Sequence, residues 1–381
     1  MLHREHELRI LYIAPFTATG DHFDSGIIGY GVTSGGAIVR ELRRINHAVE
    51  VIPDRPHTTK LGHIYATYET LATRDLSSID GILMYNTHHQ HAAEIRRLLY
   101  ERGYDQVLLA GYSHGSHWDP SDQVRHNYPL LRFADLGNVM AMDLVLLVSE
   151  YMLDVIYRTL ADQLGAQAAD EFRSRASVVG GTFDTERLDA TRTPKEHAPH
   201  VIFNHSPTPA KRPQRFIRVA MLMMRRFPDL HVVVTRRFRD GDPGSTDLAE
   251  LCRQFPRRVV LGDTFSIDDY FRWLWRSHIQ VSTATHESFG VSTVEAIYAG
   301  CCSLLPVHGS YPEVSGRAGL YEDGQLCAAL EHYLVDAEAC RQTAAQQRES
   351  IRQYYPTEVA RRIVDALTKV SGGAVRAKSE R

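Results

Sequence analysis

The sequence predicts two doubly wound α/β domains in succession, each a parallel sheet covered by helices on both faces. Three observations predict it. Short apolar runs alternate with helix-length segments along the chain; the rhythm restarts near residue 200; and the two series meet at Val178-Val179-Gly180-Gly181-Thr182-Phe183-Asp184 with no long linker. Apolar runs of strand length bounded by turn residues read as strands buried on both faces, as a sheet with crossover helices requires.

The first strand is Leu8-Arg9-Ile10-Leu11-Tyr12-Ile13-Ala14, ended by Pro15, and a glycine-bearing loop over 26–36 follows it. The stretch 37–45 keeps apolar residues at 38, 39, 42 and 45, which is helical spacing, and Ser34 is placed to cap its start. Further strands are expected at 47–52, 81–85, 106–110 and 144–148. In the second series a strand at 201–203 precedes a helix over 212–227. Strands at 231–234, 258–261 and 279–281 follow, then a helix between Gly290 and Gly300 and a strand at 303–306. The expected domains are therefore 1–178 and 179–355. A helix over 356–370 is expected to cross back to the first domain, ahead of an unordered tail over 371–381.

Composition fits this plan. The chain has 381 residues, 43% apolar and 23% charged, which is ordinary for a globular protein and long enough for two cores. No apolar run has the length of a bilayer span, and Met1-Leu2-His3-Arg4-Glu5-His6-Glu7 is too polar for a signal peptide, so no transmembrane segment is expected. The five cysteines (252, 301, 302, 327 and 340) are odd in number and lack metal-ligand spacing, which predicts reduced thiols in a cytoplasm. The net charge of −3 divides unevenly: residues 1–190 sit near −8 and the remainder near +5. A basic second half suits a phosphate-bearing ligand.

The most informative stretch is Thr285-His286-Glu287-Ser288-Phe289-Gly290-Val291-Ser292-Thr293-Val294-Glu295-Ala296. Glu287 falls on the loop after the 279–281 strand, and Glu295 falls within the following helix. Ligands of doubly wound sheets bind at such loops, where amides around Ser288, Phe289, Gly290 and Val291 at the helix start can hold an anion. One carboxylate near a sugar, another near a ribose and a phosphate between them is a layout for a nucleotide-sugar.

The Glu-aromatic-Gly-Glu pattern resembles the donor-binding signature of the retaining glycosyltransferases of family 4, which have the GT-B fold. Ala299-Gly300-Cys301-Cys302, the run Ser303-Leu304-Leu305-Pro306 and Gly309-Ser310-Tyr311-Pro312-Glu313 continue the match, and the 178–184 junction resembles the family's interdomain motif. The resemblance implies two facing Rossmann-like domains with the nucleotide-sugar site in the cleft between them. It also implies retention of anomeric configuration, a UDP- or GDP-sugar donor, and no obligatory metal or other cofactor. Glu287 would hold donor-sugar hydroxyls and Glu295 the ribose.

Three further places carry chemistry. Gly35-Gly36 resembles the family's first loop, with amides facing the cleft, although any strand-to-helix turn also wants glycine. In Gly111-Tyr112-Ser113-His114-Gly115-Ser116-His117, His114 matches a family histidine that faces the reacting sugar. In Asn204-His205-Ser206-Pro207-Thr208-Pro209-Ala210-Lys211-Arg212-Pro213, Lys211 matches the lysine that clamps the donor diphosphate, whereas Ser206 stands where relatives carry arginine. Arg212, Arg236 and Arg237 are candidates to replace that charge. His88, His89 and His91 form a cluster that reads either as a metal site or as a strand end leading into a helix.

The acceptor stays open. The C-terminal motifs resemble the branch that mannosylates queuosine in transfer RNA, which makes a modified nucleobase of tRNA or DNA one candidate. The acidic N-terminal half weighs against it, because phosphate contacts dominate nucleic-acid affinity. A small metabolite or a lipid-linked acceptor is the alternative. Outside the transferase class stand a nucleotide-sugar epimerase or hydrolase and a catalytically silent binding module. A silent relative is expected to lose the Glu pair or Lys211, and this chain keeps all three.

Overall fold

A computed structural model describes residues 7–15, 30–53, 59–87, 91–127 and 129–379. The chain forms two compact units, one of residues 1–182 together with 354–381 and one of residues 183–353. Among the described residues no helix is long and apolar enough to cross a membrane.

The first unit carries β1 (Arg9–Ile13), β2 (Ala48–Ile52), β3 (Gly81–Met84), β4 (Leu108–Ser113), β5 (Leu144–Leu147) and β6 (Ala176–Val178). They pair in the order β2-β1-β3-β4-β5-β6, and every pairing is parallel. β3, β4 and β5 are buried along their whole length, which is why their sequences are apolar runs without alternation. β4 runs three residues beyond the expected end at 110. Gly111 makes this possible, because a Cβ there would lie 2.5 Å from Met142 Sδ and 2.7 Å from Thr87 Cγ2.

The helix Tyr30–Arg44 differs from expectation at its start. Ser34, Gly35 and Gly36 lie inside it rather than in a loop before it. Ser34 is therefore no cap; its buried hydroxyl donates to the Thr182 carbonyl at 2.7 Å. The amides of Gly35 and Gly36, being well past the first turn, belong to the helix ladder and are not presented to a ligand. Glycine is required at 35 for packing: a Cβ would meet the Tyr12 hydroxyl at 2.6 Å and the Tyr85 ring at 3.1 Å. The segment 26–29 lies outside the described residues.

The closing helix, Pro356–Ser379, belongs to the first unit and buries Val359, Ala360, Ile363 and Leu367. Thr357 ties it to the 30–44 helix, donating to Glu41 at 2.9 Å and accepting from Arg44 at 2.8 Å. The tail expected to be unordered from 371 instead continues this helix to Ser379. Extension of an existing helix needs no new nucleation.

The second unit carries β7 (His200–Phe203), β8 (His231–Val234), β9 (Val259–Leu261), β10 (Ile279–Val281), β11 (Cys302–Pro306) and β12 (Leu320–Tyr321). Their order is β12-β11-β10-β7-β8-β9, again all parallel. Its core packs Phe203, Val232, Val234, Val281 and Leu304 against Phe216, Ile217, Ala220, Met223 and Met224 of the helix Pro213–Arg226.

An interior Gly→Ala change ordinarily stabilises a helix by about 1 kcal/mol. We expect Gly35→Ala to destabilise by about 1–3 kcal/mol instead, through overpacking. Adding Tyr12→Phe, which removes the clashing oxygen, is expected to recover most of that loss in urea unfolding. A stabilised Gly35→Ala single variant would show that the helix has room there.

Candidate functional site

The chain enters the second sheet at β7, builds β8 and β9 to one side, and returns to the other side of β7 with β10. The loops after β7 and β10 therefore part at the carboxyl edge of the sheet, the place where doubly wound folds form a crevice. These are the loops that carry Lys211 and Glu287.

The first loop ends in a short turn, Pro209–Lys211, with Arg212 in the left-handed region at φ 44° before Pro213 opens the next helix. The second loop grips it from outside. The Thr283 hydroxyl donates to the Lys211 carbonyl at 2.7 Å and to the Arg212 carbonyl at 3.0 Å, and the Thr285 amide donates to the Ala210 carbonyl at 2.8 Å. With both backbones fixed, Lys211 Nζ reaches Glu287 Oε2 at 2.6 Å, and the two side chains are only 19% and 16% exposed. The Tyr311 hydroxyl lies 3.3 Å from the same carboxylate oxygen and 2.6 Å from Ser282 Oγ. Burial is the largest single influence and pushes the Glu287 carboxyl up; the Lys211 charge and hydrogen bond, together with smaller contributions from His205 and His286, hold the group below the usual carboxylate range. Glu287 is therefore an anion at neutral pH.

Behind Glu287 the chain turns at Gly290, whose φ of +85° and whose closeness to Glu287 (3.1 Å from a built Cβ to Cγ) both call for glycine. The helix Val291–Tyr298 starts there without a side-chain cap. The Thr293 and Val294 amides bond back to the Gly290 carbonyl, and those of Val291 and Ser292 precede the first helical bond. Phe289 and Ser288 are buried beneath this turn, with Ser288 Oγ 3.4 Å from His286 Nε2. The result is a helix N-terminus whose amides and dipole favour an anion.

Glu295 lies one turn further on and is 5% exposed. The Tyr270 hydroxyl, from the helix Ile267–Arg276, donates to its Oε2 at 2.7 Å. Burial pushes the Glu295 carboxyl up to about 7, against the opposing pull of the Tyr270 hydrogen bond and the Arg236 charge. The Arg236 guanidinium lies 5.4 Å from the centre of the Tyr270 ring. Arg236 is thus beside Glu295, whereas Arg237 is exposed, as is Ser206.

In the first unit the His114 ring packs 4.5 Å from Tyr85 and 4.7 Å from Tyr112, centroid to centroid. Its loop is held from below. Asp135 Oδ2 accepts from Ser116 Oγ at 3.2 Å and from the His117 amide at 3.0 Å, and Thr87 donates to Ser113 at 3.1 Å. His117 itself is buried 3.3 Å from Asp135. His88 and His89 lie outside the described residues, and His91 is exposed. Among the described residues no group of three or more His, Cys, Asp or Glu is placed to hold a metal ion.

The second unit thus gathers Lys211 with Glu287, and Arg236 with Glu295, around one helix N-terminus. It also brings in residues to which the sequence assigned no role there: His205, Tyr270 and Gln280. A glutamine between Ile279 and Val281, in a strand read as buried, was the one readable signal. Tyr270 gave none, lying 25 residues from its partner.

A carboxyl raised in the folded state adds stability that is complete below its unfolded value, 4.5, and is lost as pH rises through about 7. Relative to the parent, Glu295→Gln is expected to lose about 2–3 kcal/mol less unfolding free energy as urea titrations move from about pH 4.5 to about pH 8. The same slope in both proteins would mean that Glu295 ionises as freely when folded as when unfolded.

No family model matches the chain. Over 122 residues it is 25% identical to the tRNA-queuosine alpha-mannosyltransferase of Drosophila melanogaster, an alignment that covers 32% of this chain and 32% of that protein. The chain thus spans about a third of the length of the curated relative it matches. Among solved structures it resembles the alpha,alpha-trehalose 6-phosphate synthase of Burkholderia multivorans with a TM-score of 0.70 at 12% identity, over 98% of this chain and 99% of that one. It also resembles Anabaena HepE in complex with UDP-glucose, with a TM-score of 0.64 at 16% identity, over 95% and 100% of the two chains. These likenesses, together with the two parallel sheets, establish the fold as the GT-B fold of the glycosyltransferases.

Proposed function

We propose that this chain is a retaining glycosyltransferase that moves a hexose or pentose from a UDP- or GDP-sugar to an acceptor hydroxyl. The observation that carries the reading is the convergence of Lys211, Glu287, Arg236 and Glu295 on the open N-terminus of the Val291–Tyr298 helix. Breaking the bond from the anomeric carbon to the diphosphate builds positive charge on the sugar and negative charge on the leaving phosphate. The Val291 and Ser292 amides and Lys211 would stabilise the leaving group. Lys211 has three protons to donate; Glu287 takes one and the His286 carbonyl, at 3.5 Å, another, so the third can reach phosphate without the ammonium leaving its partner. Glu287 would accept from sugar hydroxyls and offset the cationic ring, and Glu295 would accept from the ribose diol. Arg236, beside Tyr270 and Glu295, would supply the arginine charge that is absent at Ser206. His114 would hydrogen-bond the sugar or orient the acceptor.

The partial likeness to a queuosine mannosyltransferase supports a modified nucleobase of tRNA or DNA as the first acceptor to try. A thermal-shift panel of UDP-, GDP- and ADP-sugars, with and without magnesium, tests the donor; one nucleotide is expected to stabilise selectively. Release of free sugar with no acceptor dependence would mark a hydrolase, and no shift at all a silent module. With donor and acceptor in hand, Glu287→Ala and Lys211→Ala are each expected to lower turnover about 10²–10³-fold in protein that still melts cooperatively, at a lower temperature because one buried charge has lost its partner. Transfer at the parental rate by either variant would mean the donor site lies elsewhere.

A further inference from the structure

Gln280 is an unexpected residue for the centre of a buried parallel strand. It is 0% exposed, and its Oε1 has no hydrogen-bond partner among the described residues. Burying an amide half-satisfied costs stability, so its other half must serve something. Gln280 Nε2 lies 3.2 Å from Asn204 Oδ1 and 3.2 Å from His205 Nε2, both on the loop after β7.

The direction of every hydrogen bond in this group follows from one fixed point. The Ser292 carbonyl oxygen can only accept, so the Asn204 atom 2.7 Å from it is the amide nitrogen. Asn204 therefore turns its oxygen toward Gln280, and only the Gln280 nitrogen can meet it. That nitrogen also meets His205 Nε2, which must then carry a lone pair. His205 is accordingly the neutral imidazole with its proton on Nδ1. Nδ1 lies 3.3 Å from Ser292 Oγ, so the serine oxygen accepts there and its own hydrogen is left to point elsewhere. Burial, with the Lys211 and Arg236 charges, pushes the His205 pKa down to about 3, which keeps the ring neutral. The second proton of the Asn204 amide faces the Tyr270 hydroxyl at 3.3 Å, and Tyr270 in turn donates to Glu295.

We propose that Gln280, Asn204 and His205 are positioning residues that lock the Ser292 hydroxyl as a hydrogen-bond donor to a diphosphate oxygen of the nucleotide donor. This rests on the nucleotide-sugar reading above. Ser292 is the second residue of its helix, next to the free amides, and half-buried, so a ligand oxygen held by those amides meets the hydroxyl too. An ionised phosphate oxygen only accepts. A serine free to rotate would spend part of its time offering a lone pair to that anion; one that already accepts from His205 offers its proton.

Two measurements on the 381-residue chain test this. Nitrogen-15 spectra of labelled histidine, with His205 assigned by its loss in His205→Gln, are expected to show the Nδ1–H tautomer in the parent and its loss in Gln280→Leu. An Nε2–H tautomer in the parent overturns the lock, whatever the ligand. In calorimetry with UDP and GDP, Ser292→Ala is expected to weaken the tighter nucleotide about tenfold in the parent and less than about twofold in the Gln280→Leu background. Ser292→Thr is expected to restore binding. Equal losses in both backgrounds overturn the proposal, as does parental affinity in Ser292→Ala. If Gln280→Leu does not fold, the parental tautomer and the Ser292→Ala and Ser292→Thr pair still decide. A parent that binds neither nucleotide overturns the nucleotide-sugar reading and with it the ligand assigned to Ser292, while the tautomer still judges the lock by itself.

Discussion

Parallel pairing of β7 with β10 is the constraint on which the candidate site depends. It sets side by side two loops whose contacting residues, Lys211 and Glu287, are 76 positions apart in sequence. Once Thr283 and Thr285 have bonded to the carbonyls of 210–212, neither loop can move without breaking backbone contacts of the other. An ion pair this sheltered gains from attraction and loses by desolvation in comparable measure, so its contribution to net stability is small. Its value lies in geometry. A lysine held against a carboxylate has most of its rotamer freedom removed before any ligand arrives, and a preorganised charge costs nothing to reorient when negative charge develops.

Glu287 and Glu295 show how the loop and helix at one helix N-terminus can hold two carboxylates in opposite electrostatic states. Glu287 has an ammonium at hydrogen-bond distance and is depressed; Glu295 is raised, because burial outweighs a phenol hydroxyl and a guanidinium one ring away. On the proposed reading such a split would divide the tasks. The permanently charged carboxylate suits a centre where cationic character develops. The one that titrates near neutrality suits a pair of hydroxyl donors, which favour its ionised form when they bind.

Much of the fold was legible because its strands are buried on both faces and therefore stand out as uninterrupted apolar runs; β8 and β10 were located to the residue. Two of the four edge strands were not: β6 is only partly buried, and β12 has two residues, too few to show a pattern. The reading of Ser34-Gly35-Gly36 as a capped helix start went wrong for a physical reason. Serine and glycine are local signals for a helix end, but Gly35 is demanded by Tyr12 of β1 and by Tyr85 just after β3, both distant in sequence. The candidate site divides along the same line. Glu287, Glu295 and Lys211 were visible because they sit in short motifs beside strand ends. His205, Tyr270 and Gln280 act through partners 25 to 87 positions away, and sequence spacing carries no trace of such contacts.

The closing helix gives the first unit a peculiar history. That unit is assembled from residues 1–182 and from the last 28 residues of the chain, with the whole second unit encoded between them. During synthesis the first sheet therefore emerges early but waits for the segment bearing Val359, Ala360, Ile363 and Leu367, and the apolar face those residues cover stays open to water meanwhile. The second unit, continuous in sequence, has all its strands before that wait ends. The segments of the second unit are thus all synthesised before the last segment of the first, and until that segment docks the face it covers is open to wrong partners.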